Sequence, residues 1–380
     1  MAQLIALVAK QTQDLVDRIR RAWDDGNAVA VLDPTAPRDY LETLIEAIDP
    51  DRIEFDDLSI RPLRRIHELQ DNAALVMCTS GTTGRPKAVV HTFATLGASA
   101  HATGEYLGVR PGEGTWICAL PLSHIGGFST ITKAIYQKTS LAVFPKFDYG
   151  AIESLAREMP CYLPLVRANL SRITPKAYRR LVLGAGVAPE QLPSNASITY
   201  GLTETGSGLV YDGTPLRGVE VRVGIDGEIL LRGPMIATSY RDGGAIFADD
   251  GWFHTNDAGE FSADKLIVHG RRSEMISSGG ERIVPHQVES VIQGLAGVAE
   301  VAVVGVDDSE FQQIAWAFIV AKKGETPPGL ETIKSEVRRV LPRYCAPRGL
   351  TIVRALPKTA LGKIQKSRLG EMLEGSPPPS

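Results

Sequence analysis

The chain of 380 residues is longer than most single domains, and its hydrophobic fraction of 43% and charged fraction of 22% are ordinary for a protein with a buried core. Its 41 basic and 44 acidic residues leave a net charge of -3, which excludes a general attraction to nucleic acid or to an anionic membrane. Any binding of anions must therefore be local.

The four cysteines lie far apart without a Cys-x-x-Cys pair, which disfavours both a zinc site and a disulfide framework. No basic segment precedes the short apolar run at the N-terminus. The longest unbroken apolar run, residues 314–321, is far shorter than the roughly 18 residues of a membrane span. We therefore expect a cytoplasmic protein without a membrane or nucleic-acid partner.

The first part of the chain alternates predicted helices with predicted strands. Apolar residues at helical spacing between Leu4 and Trp23 predict one amphipathic helix, and the apolar run at 28–32 predicts a strand. The predicted elements that follow are a helix at 37–48, a strand at 73–78, a helix at 93–107, a strand at 115–119, a helix at 128–137 and a strand at 140–144. This alternation predicts a largely parallel sheet covered on both faces.

The pattern changes near residue 219. Short apolar stretches at 219–223, 228–231 and 265–268 are separated by glycines and predict a small antiparallel sheet or barrel. Beyond Gly270 a helix at 285–294, strands at 298–305 and 314–321 and a helix at 330–340 predict a compact α+β unit, and the Pro/Ser-rich tail at 375–380 is predicted to be disordered. The predicted fold class is α/β, with a large domain at 1–269 and a small α+β domain at 270–380.

Residues 79–87 have the composition of a loop that holds a triphosphate. Its glycines let backbone N–H groups approach oxyanions, its hydroxyls add donors and its lysine adds a positive charge. The common phosphate loop ends in Gly-Lys-Ser/Thr, so the usual ATPase or GTPase interpretation fits poorly, and a solvated turn is the alternative for this segment alone. The candidate ligands are Thr79, Ser80, Gly81, Thr82, Thr83, Gly84 and Lys87.

Four further segments complete a pattern that resembles the adenylate-forming superfamily, which comprises acyl- and aryl-CoA synthetases, adenylation domains and luciferases. They follow the loop in the family's order, and the resemblance extends over about residues 28–369. The segments are Tyr200-Gly-Leu-Thr-Glu204, Gly251-Trp-Phe-His-Thr-Asn-Asp257, Gly270-Arg-Arg-Ser-Glu274 with Gly279-Gly280, and Pro357-Lys-Thr-Ala-Leu-Gly-Lys-Ile364.

The resemblance implies that the nucleotide lies against the Tyr200 segment. Tyr200 would stack on adenine, Thr203 would bond the α-phosphate, and Glu204 would hold Mg²⁺ against the phosphate oxygens. Asp257 would accept both ribose hydroxyls, because a carboxylate offers two acceptor oxygens to a diol. The backbone along the adenine would come from Gly201 and from an earlier stretch of small residues, Gly184, Ala185 and Gly186.

The C-terminal domain would be mobile, as in the family. Arg271 would reach the ribose and the α-phosphate, Ser273 would be the pivot, and Gly279 and Gly280 would supply backbone for a second half-reaction. Lys363 would be catalytic, because a cation between the attacking carboxylate and the α-phosphate offsets their repulsion most strongly in the transition state. The neighbouring charges Arg272, Lys358 and Lys366 are predicted to be surface charges.

His124 lies in a segment, residues 121–128, that resembles the lining of the family's acyl pocket. It could shape the pocket or orient the substrate carboxylate, and a structural histidine at a helix start is an equal alternative. The region before the phosphate loop is shorter than in most relatives. A subdomain that often contributes to the acyl pocket or to a dimer surface is therefore reduced.

Three functions fit this pattern. The first is a ligase that uses ATP, Mg²⁺ and coenzyme A to activate a carboxylic acid, and residues 270–283 most resemble the o-succinylbenzoate-CoA ligase branch of menaquinone synthesis. Arg167 could then pair with the second carboxylate of that acid, with an exposed helix charge as the alternative. The second function is a stand-alone enzyme that loads a carrier protein. The third is a non-catalytic nucleotide-binding relative, which the retained Lys363, Glu204 and Arg271 disfavour. A homodimer is a further expectation.

Overall fold

The computed structural model describes residues 2–79, 86–184, 192–358 and 364–374. The chain divides into two compact units: the first comprises residues 1–222, 230–255 and 261–266, and the second comprises 223–229, 256–260 and 267–380. The described residues form nine α-helices: α1 (Gln13–Asp24), α2 (Arg38–Ile48), α3 (Phe93–Leu107), α4 (Ile125–Tyr136), α5 (Tyr149–Glu158), α6 (Arg167–Leu170), α7 (Pro285–Gln293), α8 (Leu330–Val340) and α9 (Lys366–Glu374).

The described residues also form 23 strands. Up to residue 215 they are β1 (Leu4–Val8), β2 (Ala28–Leu32), β3 (Arg52–Phe55), β4 (Ile60–Pro62), β5 (Ala73–Thr79), β6 (Lys87–Thr92), β7 (Thr115–Cys118), β8 (Ser140–Val143), β9 (Cys161–Leu165), β10 (Arg180–Leu183), β11 (Ala196–Tyr200), β12 (Val210–Tyr211) and β13 (Thr214–Pro215). The later strands are β14 (Glu220–Val223), β15 (Glu228–Arg232), β16 (Ser239–Tyr240), β17 (Phe253–Ser262), β18 (Lys265–Arg271), β19 (Ile276–Ser278), β20 (Glu281–Ile283), β21 (Val298–Asp308), β22 (Gln312–Ala321) and β23 (Gly349–Ile352).

The first unit contains two sheets of seven strands, each parallel at its centre. The first sheet has the order β16-β6-β5-β2-β1-β3-β4, and the second has the order β13-β12-β11-β10-β9-β7-β8. In the first sheet α1, α3 and α4 pack on one face and α2 packs on the other. The predicted α/β architecture is thus confirmed, although the alternating elements are divided between two sheets.

The predicted helix between Leu4 and Trp23 is wrong in its first part. Residues 4–8 form β1, all five of whose residues are buried, and this strand pairs in parallel with both β2 and β3. A continuous apolar run is typical of a strand that is covered on both faces, and helical spacing alone does not distinguish it. The helix begins only after Thr12, whose hydroxyl accepts a hydrogen bond from the Leu15 amide.

The short strands after residue 219 form a sheet of four strands in the order β14-β15-β17-β18. The second unit has its own sheet in the order β20-β19-β22-β21, with β23 parallel to β22. The apolar residues of helices α7 and α8 pack against strands β21 and β22 of this sheet and form its buried core. The predicted α+β unit is confirmed, whereas the predicted boundary at residue 269/270 stays a prediction. The predicted disordered tail lies outside the described residues.

Arg241, which directly follows β16, is a buried anchor that is 4% exposed. Its guanidinium donates hydrogen bonds to four backbone carbonyls and to the Asp49 carboxylate, which lies 3.2 Å away. The four carbonyls belong to Ile48, Asp49, His67 and Glu68. These bonds fasten the end of β16 to two loops near the front of the chain. Among the described residues, none of the helices has the length and apolar character of a membrane span.

Candidate active site

The predicted phosphate loop joins two antiparallel strands of the first sheet. Thr79 ends β5 and Lys87 begins β6, and the two residues are paired across the ladder. The loop residues Ser80, Gly81, Thr82, Thr83 and Gly84 lie outside the described residues. Lys87 is exposed, and its Nζ lies 5.0 Å from the centroid of the Tyr240 ring.

The Tyr200 segment follows the carboxyl end of β11 in the second sheet. A Cβ at position 201 would lie 2.3 Å from the Ser207 carbonyl oxygen, so the close approach of these two backbone segments requires Gly201. Gly184 directly follows β10, which is parallel to β11. Ala185 and Gly186 lie outside the described residues. The predicted adenine contacts Tyr200, Gly201 and Gly184 therefore lie at the ends of neighbouring strands.

Three hydrogen bonds hold Thr203 and Glu204, which lie in a short 3-10 turn. His91 Nε2 lies 2.7 Å from the Thr203 carbonyl oxygen, and the Ala237 amide donates to the Glu204 carbonyl at 2.8 Å. The Tyr240 hydroxyl donates to Glu204 Oε1 at 3.1 Å. These bonds come from β6, β16 and the residues just before β16. The structure therefore brings Lys87, Thr203 and Glu204 together in the first unit.

His91 is completely buried and holds its proton on Nε2, because its partner there is a carbonyl oxygen. Burial lowers the pKa of His91 to about 4, and the hydrogen bond to Thr203 only partly opposes this effect. The imidazole is therefore neutral at physiological pH. It acts as a fixed donor beneath the Thr203–Glu204 backbone.

The Glu204 carboxylate suits a magnesium ion. It is only 9% exposed, and among the described residues it has one neutral donor, Tyr240, and no ion pair. A buried carboxylate with so little compensation is costly, and oxygen ligands are those that Mg²⁺ prefers. Mg²⁺ commonly takes one or two carboxylates and completes its shell with phosphate oxygens and water.

The two predicted ribose-binding residues, Asp257 and Arg271, form an ion pair with each other in the second unit. Asp257 in β17 is 6% exposed, and its Oδ1 lies 3.1 Å from Nε of Arg271 in β18. The predicted partners of one ribose are therefore adjacent in space. Lys363, the predicted catalytic residue, lies outside the described residues.

All three charges predicted to be at the surface form ion pairs, and the prediction is wrong for Arg272 and Lys366, which are half-buried, whereas Lys358 is exposed. Arg272 contacts Asp226 at 2.8 Å and Glu228 at 2.9 Å. Lys366, which is 18% exposed, contacts Glu289 at 2.8 Å and Glu274 at 3.5 Å. Lys358 pairs with Glu300 at 2.6 Å. These ion-pair partners lie in other segments of the chain, so the local sequence around each basic residue does not predict the pair.

Gly279, which precedes Gly280, lines a basic cavity in the second unit. Both have positive φ, 58° and 87°, which favours glycine, and the Gly279 amide donates to the Phe311 carbonyl at 2.8 Å. The cavity has a volume of about 520 Å³ and is lined by Ser278, Gly279, Glu281, Phe311, Tyr344 and Ala346 and by four basic side chains, Lys334, Arg338, Arg343 and Arg348. Arg348 stacks on Phe311 at 3.6 Å, and among the described residues Arg338, Arg343 and Arg348 form no ion pair.

His124 directly precedes α4, and its side chain makes no capping hydrogen bond. Burial lowers its pKa, and the nearby Asp33 carboxylate opposes this. A role in orienting a substrate and a structural role both remain compatible with this placement. Arg167 is exposed at the first residue of α6.

Two family models match the chain: the AMP-binding enzyme model over residues 3–241 and the AMP-binding enzyme C-terminal domain model over residues 287–363. The chain belongs to the AMP-binding enzyme family. It is 34% identical to a probable 2-succinylbenzoate–CoA ligase of Mycobacterium tuberculosis (strain CDC 1551 / Oshkosh), over 92% of this chain and 97% of that protein. It is also 34% identical to a 2-succinylbenzoate–CoA ligase of Bacillus licheniformis, over 81% of this chain and 72% of that one.

Solved structures of AMP-binding enzymes share the fold. The o-succinylbenzoate coenzyme A synthetase MenE of Bacillus subtilis, solved in complex with ATP and a magnesium ion, has a TM-score of 0.84 at 25% identity, over 96% of this chain and 89% of that one. ATP-bound MatB of Rhodopseudomonas palustris has a TM-score of 0.85 at 21% identity, over 99% and 89%. The prediction of an AMP-forming acid–thiol ligase is confirmed by these relatives, whereas the predicted roles of individual residues stay predictions.

His91 and Tyr240 are residues of this AMP-binding enzyme that the sequence analysis missed. His91 did carry a signal, because it is a polar residue within the apolar strand β6. Tyr240 carried no such signal in the sequence. It belongs to β16, a strand of only two residues that is positioned by its pairing with β6. Both contact the Thr203–Glu204 turn across the fold.

Proposed function

We propose that the protein is an ATP-dependent carboxylic acid–CoA ligase that works through an acyl-adenylate. We further propose that its acid is o-succinylbenzoate, in menaquinone biosynthesis, because the named relatives act on that acid. The observation that carries the proposal is the convergence of Lys87, Thr203 and Glu204. Two segments that resemble nucleotide-binding segments, residues 79–87 and 200–204, meet at one place in the first unit.

In the first half-reaction, a carboxylate oxygen of the acid attacks the α-phosphorus of ATP, and the bond to pyrophosphate breaks. Lys87 would hold the triphosphate, and Thr203 would bond the α-phosphate. Mg²⁺, held by Glu204, would neutralise phosphate charge. Lys363 would bridge the attacking oxygen and the phosphate, which stabilises the transition state more than the ground state.

In the second half-reaction, a thiolate attacks the acyl carbonyl, and AMP leaves. The basic cavity beside Gly279 supports coenzyme A as the source of this thiol. Coenzyme A carries a nucleotide with three phosphate groups, and Arg338, Arg343 and Arg348 offer guanidinium groups that suit phosphate. A carrier-protein pantetheine lacks that nucleotide, so the cavity favours coenzyme A.

The deciding experiment is a screen of carboxylic acids, including o-succinylbenzoate, for acid-dependent release of pyrophosphate and for thioester with free coenzyme A. We expect both with o-succinylbenzoate. Adenylate without thioester on free coenzyme A, but with transfer to a holo carrier protein, would establish the carrier-loading alternative. ATP binding without pyrophosphate release on any acid would establish a non-catalytic relative.

The proposed role of the basic cavity has a matched pair of variants on α8. Arg338→Ala should raise the KM for coenzyme A roughly three- to tenfold, the size expected when a phosphate loses one charged hydrogen bond. Arg339→Ala removes the next charge on the same helix, which pairs with Glu336 and does not line the cavity. It should leave the KM unchanged, and neither variant should alter pyrophosphate release.

A cytoplasmic location and a homodimer are also proposals. All four cysteines are free thiols, which supports a reducing compartment. The homodimer rests on the family resemblance. Sedimentation of the purified chain at several concentrations tests it, and a monomer throughout would end it.

A further inference from the structure

Tyr240 contacts two charged residues of opposite sign with two different parts of its side chain. It lies in β16 and pairs with Val89 of β6, the strand that Lys87 begins. Its hydroxyl lies 3.1 Å from Glu204 Oε1, and its ring centroid lies 5.0 Å from Lys87 Nζ. One half-buried aromatic side chain therefore touches both the proposed metal ligand and the proposed triphosphate ligand.

The contact with Glu204 differs from the other bonds of the same turn. His91 and the Ala237 amide hold backbone carbonyls, which fixes the course of the chain but leaves the carboxylate free to rotate. Among the described residues, Tyr240 makes the hydrogen bond to the carboxylate itself. It occupies one oxygen on one side and leaves the other acceptor positions of the carboxylate for a metal.

The contact with Lys87 sets the position of an exposed ammonium. A lysine side chain is flexible, and a cation over an aromatic face gains modest stabilisation there. In the described structure Lys87 and Glu204 form no ion pair with each other. A direct pair would satisfy both charges internally and withdraw both from a phosphate–metal ligand.

We propose that Tyr240 is a positioning residue for the nucleotide and its metal ion. Its hydroxyl orients the Glu204 carboxylate for Mg²⁺, and its ring holds Lys87 for the triphosphate. This inference rests on the proposed function and deepens it. The two parts of the side chain predict two separable effects.

The test compares Tyr240→Phe, which removes only the hydroxyl, with Tyr240→Leu, which also removes the ring. Tyr106→Phe is the matched control, because the Tyr106 hydroxyl donates to the Asp212 carboxylate at 2.9 Å elsewhere in the same unit. Mn²⁺ replaces Mg²⁺ as the probe, and electron paramagnetic resonance of the full-length protein with saturating ATP measures its binding. ATP affinity is measured separately by calorimetry at saturating Mg²⁺, and thermal unfolding checks each variant.

Tyr240→Phe should weaken Mn²⁺ binding about two- to tenfold, the size expected for one hydrogen bond, and leave ATP affinity unchanged. Tyr240→Leu should weaken Mn²⁺ binding at least as much and also weaken ATP binding about two- to fivefold. Tyr106→Phe should change neither.

Unchanged Mn²⁺ binding in Tyr240→Phe would overturn the role of the hydroxyl, and equal ATP affinity in both variants would overturn the role of the ring. In either case a wild-type protein that binds Mn²⁺ only with ATP keeps the proposed function intact. A wild-type protein without ATP-dependent Mn²⁺ binding would overturn the proposed metal site, and this inference with it.

Discussion

The Thr203–Glu204 turn of the first unit and the Asp257–Arg271 pair of the second unit hold their charges in opposite ways. In the first unit Glu204 is buried beside neutral donors, and Lys87 rests on an aromatic ring. In the second unit Asp257 and Arg271 neutralise each other, and Arg272 forms ion pairs with both Asp226 and Glu228. The Glu204 site of the first unit therefore leaves charge for a ligand to compensate, whereas a ribose bound at Asp257 and Arg271 must compete with their ion pair. This difference predicts that variants at Glu204 mainly reduce ligand binding and catalysis, whereas variants at Arg271 mainly reduce the free energy of unfolding.

The largest expected effect is that of removing the uncompensated charge in the first unit. Glu204→Gln should lower acid-dependent pyrophosphate release about a hundredfold, because an electrostatic group that faces the transition state is lost. Asp257→Asn should cost less, since Arg271 remains to contact the nucleotide. Steady-state rates over a range of Mg²⁺ concentrations measure both. A larger loss in Asp257→Asn than in Glu204→Gln would reverse the comparison.

The next effect is on folding and belongs to the second unit. Arg271→Ala should lower the free energy of unfolding by about 1–2 kcal/mol, because it removes an ion pair of the buried Asp257 carboxylate, discounted for the exposed part of Arg271. The double variant with Asp257→Asn should regain part of this loss. In the first unit, Lys87→Met should change the free energy of unfolding by less than about 0.5 kcal/mol, because Lys87 is exposed. Urea unfolding of the full chain supplies the measurement, and equal losses in the two units would contradict the comparison.

A pH-dependent effect on stability should arise from the buried, neutral His91 of the first unit. The pKa of His91 is lowered from 6.5 to about 4 by burial, so between these values the unfolded chain binds a proton that the folded chain does not. Stability contributed by His91 is complete above pH 6.5 and falls toward pH 4 by up to about 1.4 kcal/mol per pH unit. His91→Asn should make the pH dependence of unfolding shallower by that amount. Parallel curves for the two proteins would show that His91 does not titrate this way.

The smallest structural effect is expected at Arg167. Its side chain is exposed, so Arg167→Ala should alter the free energy of unfolding by less than about 0.5 kcal/mol. If Arg167 pairs with the second carboxylate of the acid, the variant raises the KM for o-succinylbenzoate but not for ATP. An unchanged KM for the acid assigns Arg167 to the surface.

The secondary-structure elements that the sequence predicted well are those with a clear local pattern of apolar residues. The strands β2 and β5 and the helices α2 and α3 follow from runs and periods within a few residues, whereas β6, which is antiparallel to β5, was not predicted.

What the sequence did not reveal depends on contacts between distant segments. Tyr240 reaches Glu204 only because β16 pairs with β6, and Lys366 is half-buried only because Glu274 and Glu289 lie beside it. The strand β1 was mistaken for helix because its burial comes from neighbours on both sides rather than from its own pattern. Ion pairs and edge strands of this kind carry almost no local signal.

The anchor at Arg241 has a practical consequence for shortening the protein. The residue that follows Tyr240 fastens the strand to carbonyls at positions 48, 49, 67 and 68, so this early part of the chain supports the proposed nucleotide site as well as the sheet. A fragment that starts at residue 79 would keep the segments that resemble the family. It would lose the hydrogen-bond partners of Arg241 and with them the support of Tyr240. Engineering of this enzyme should therefore spare its front end, even where no ligand touches it.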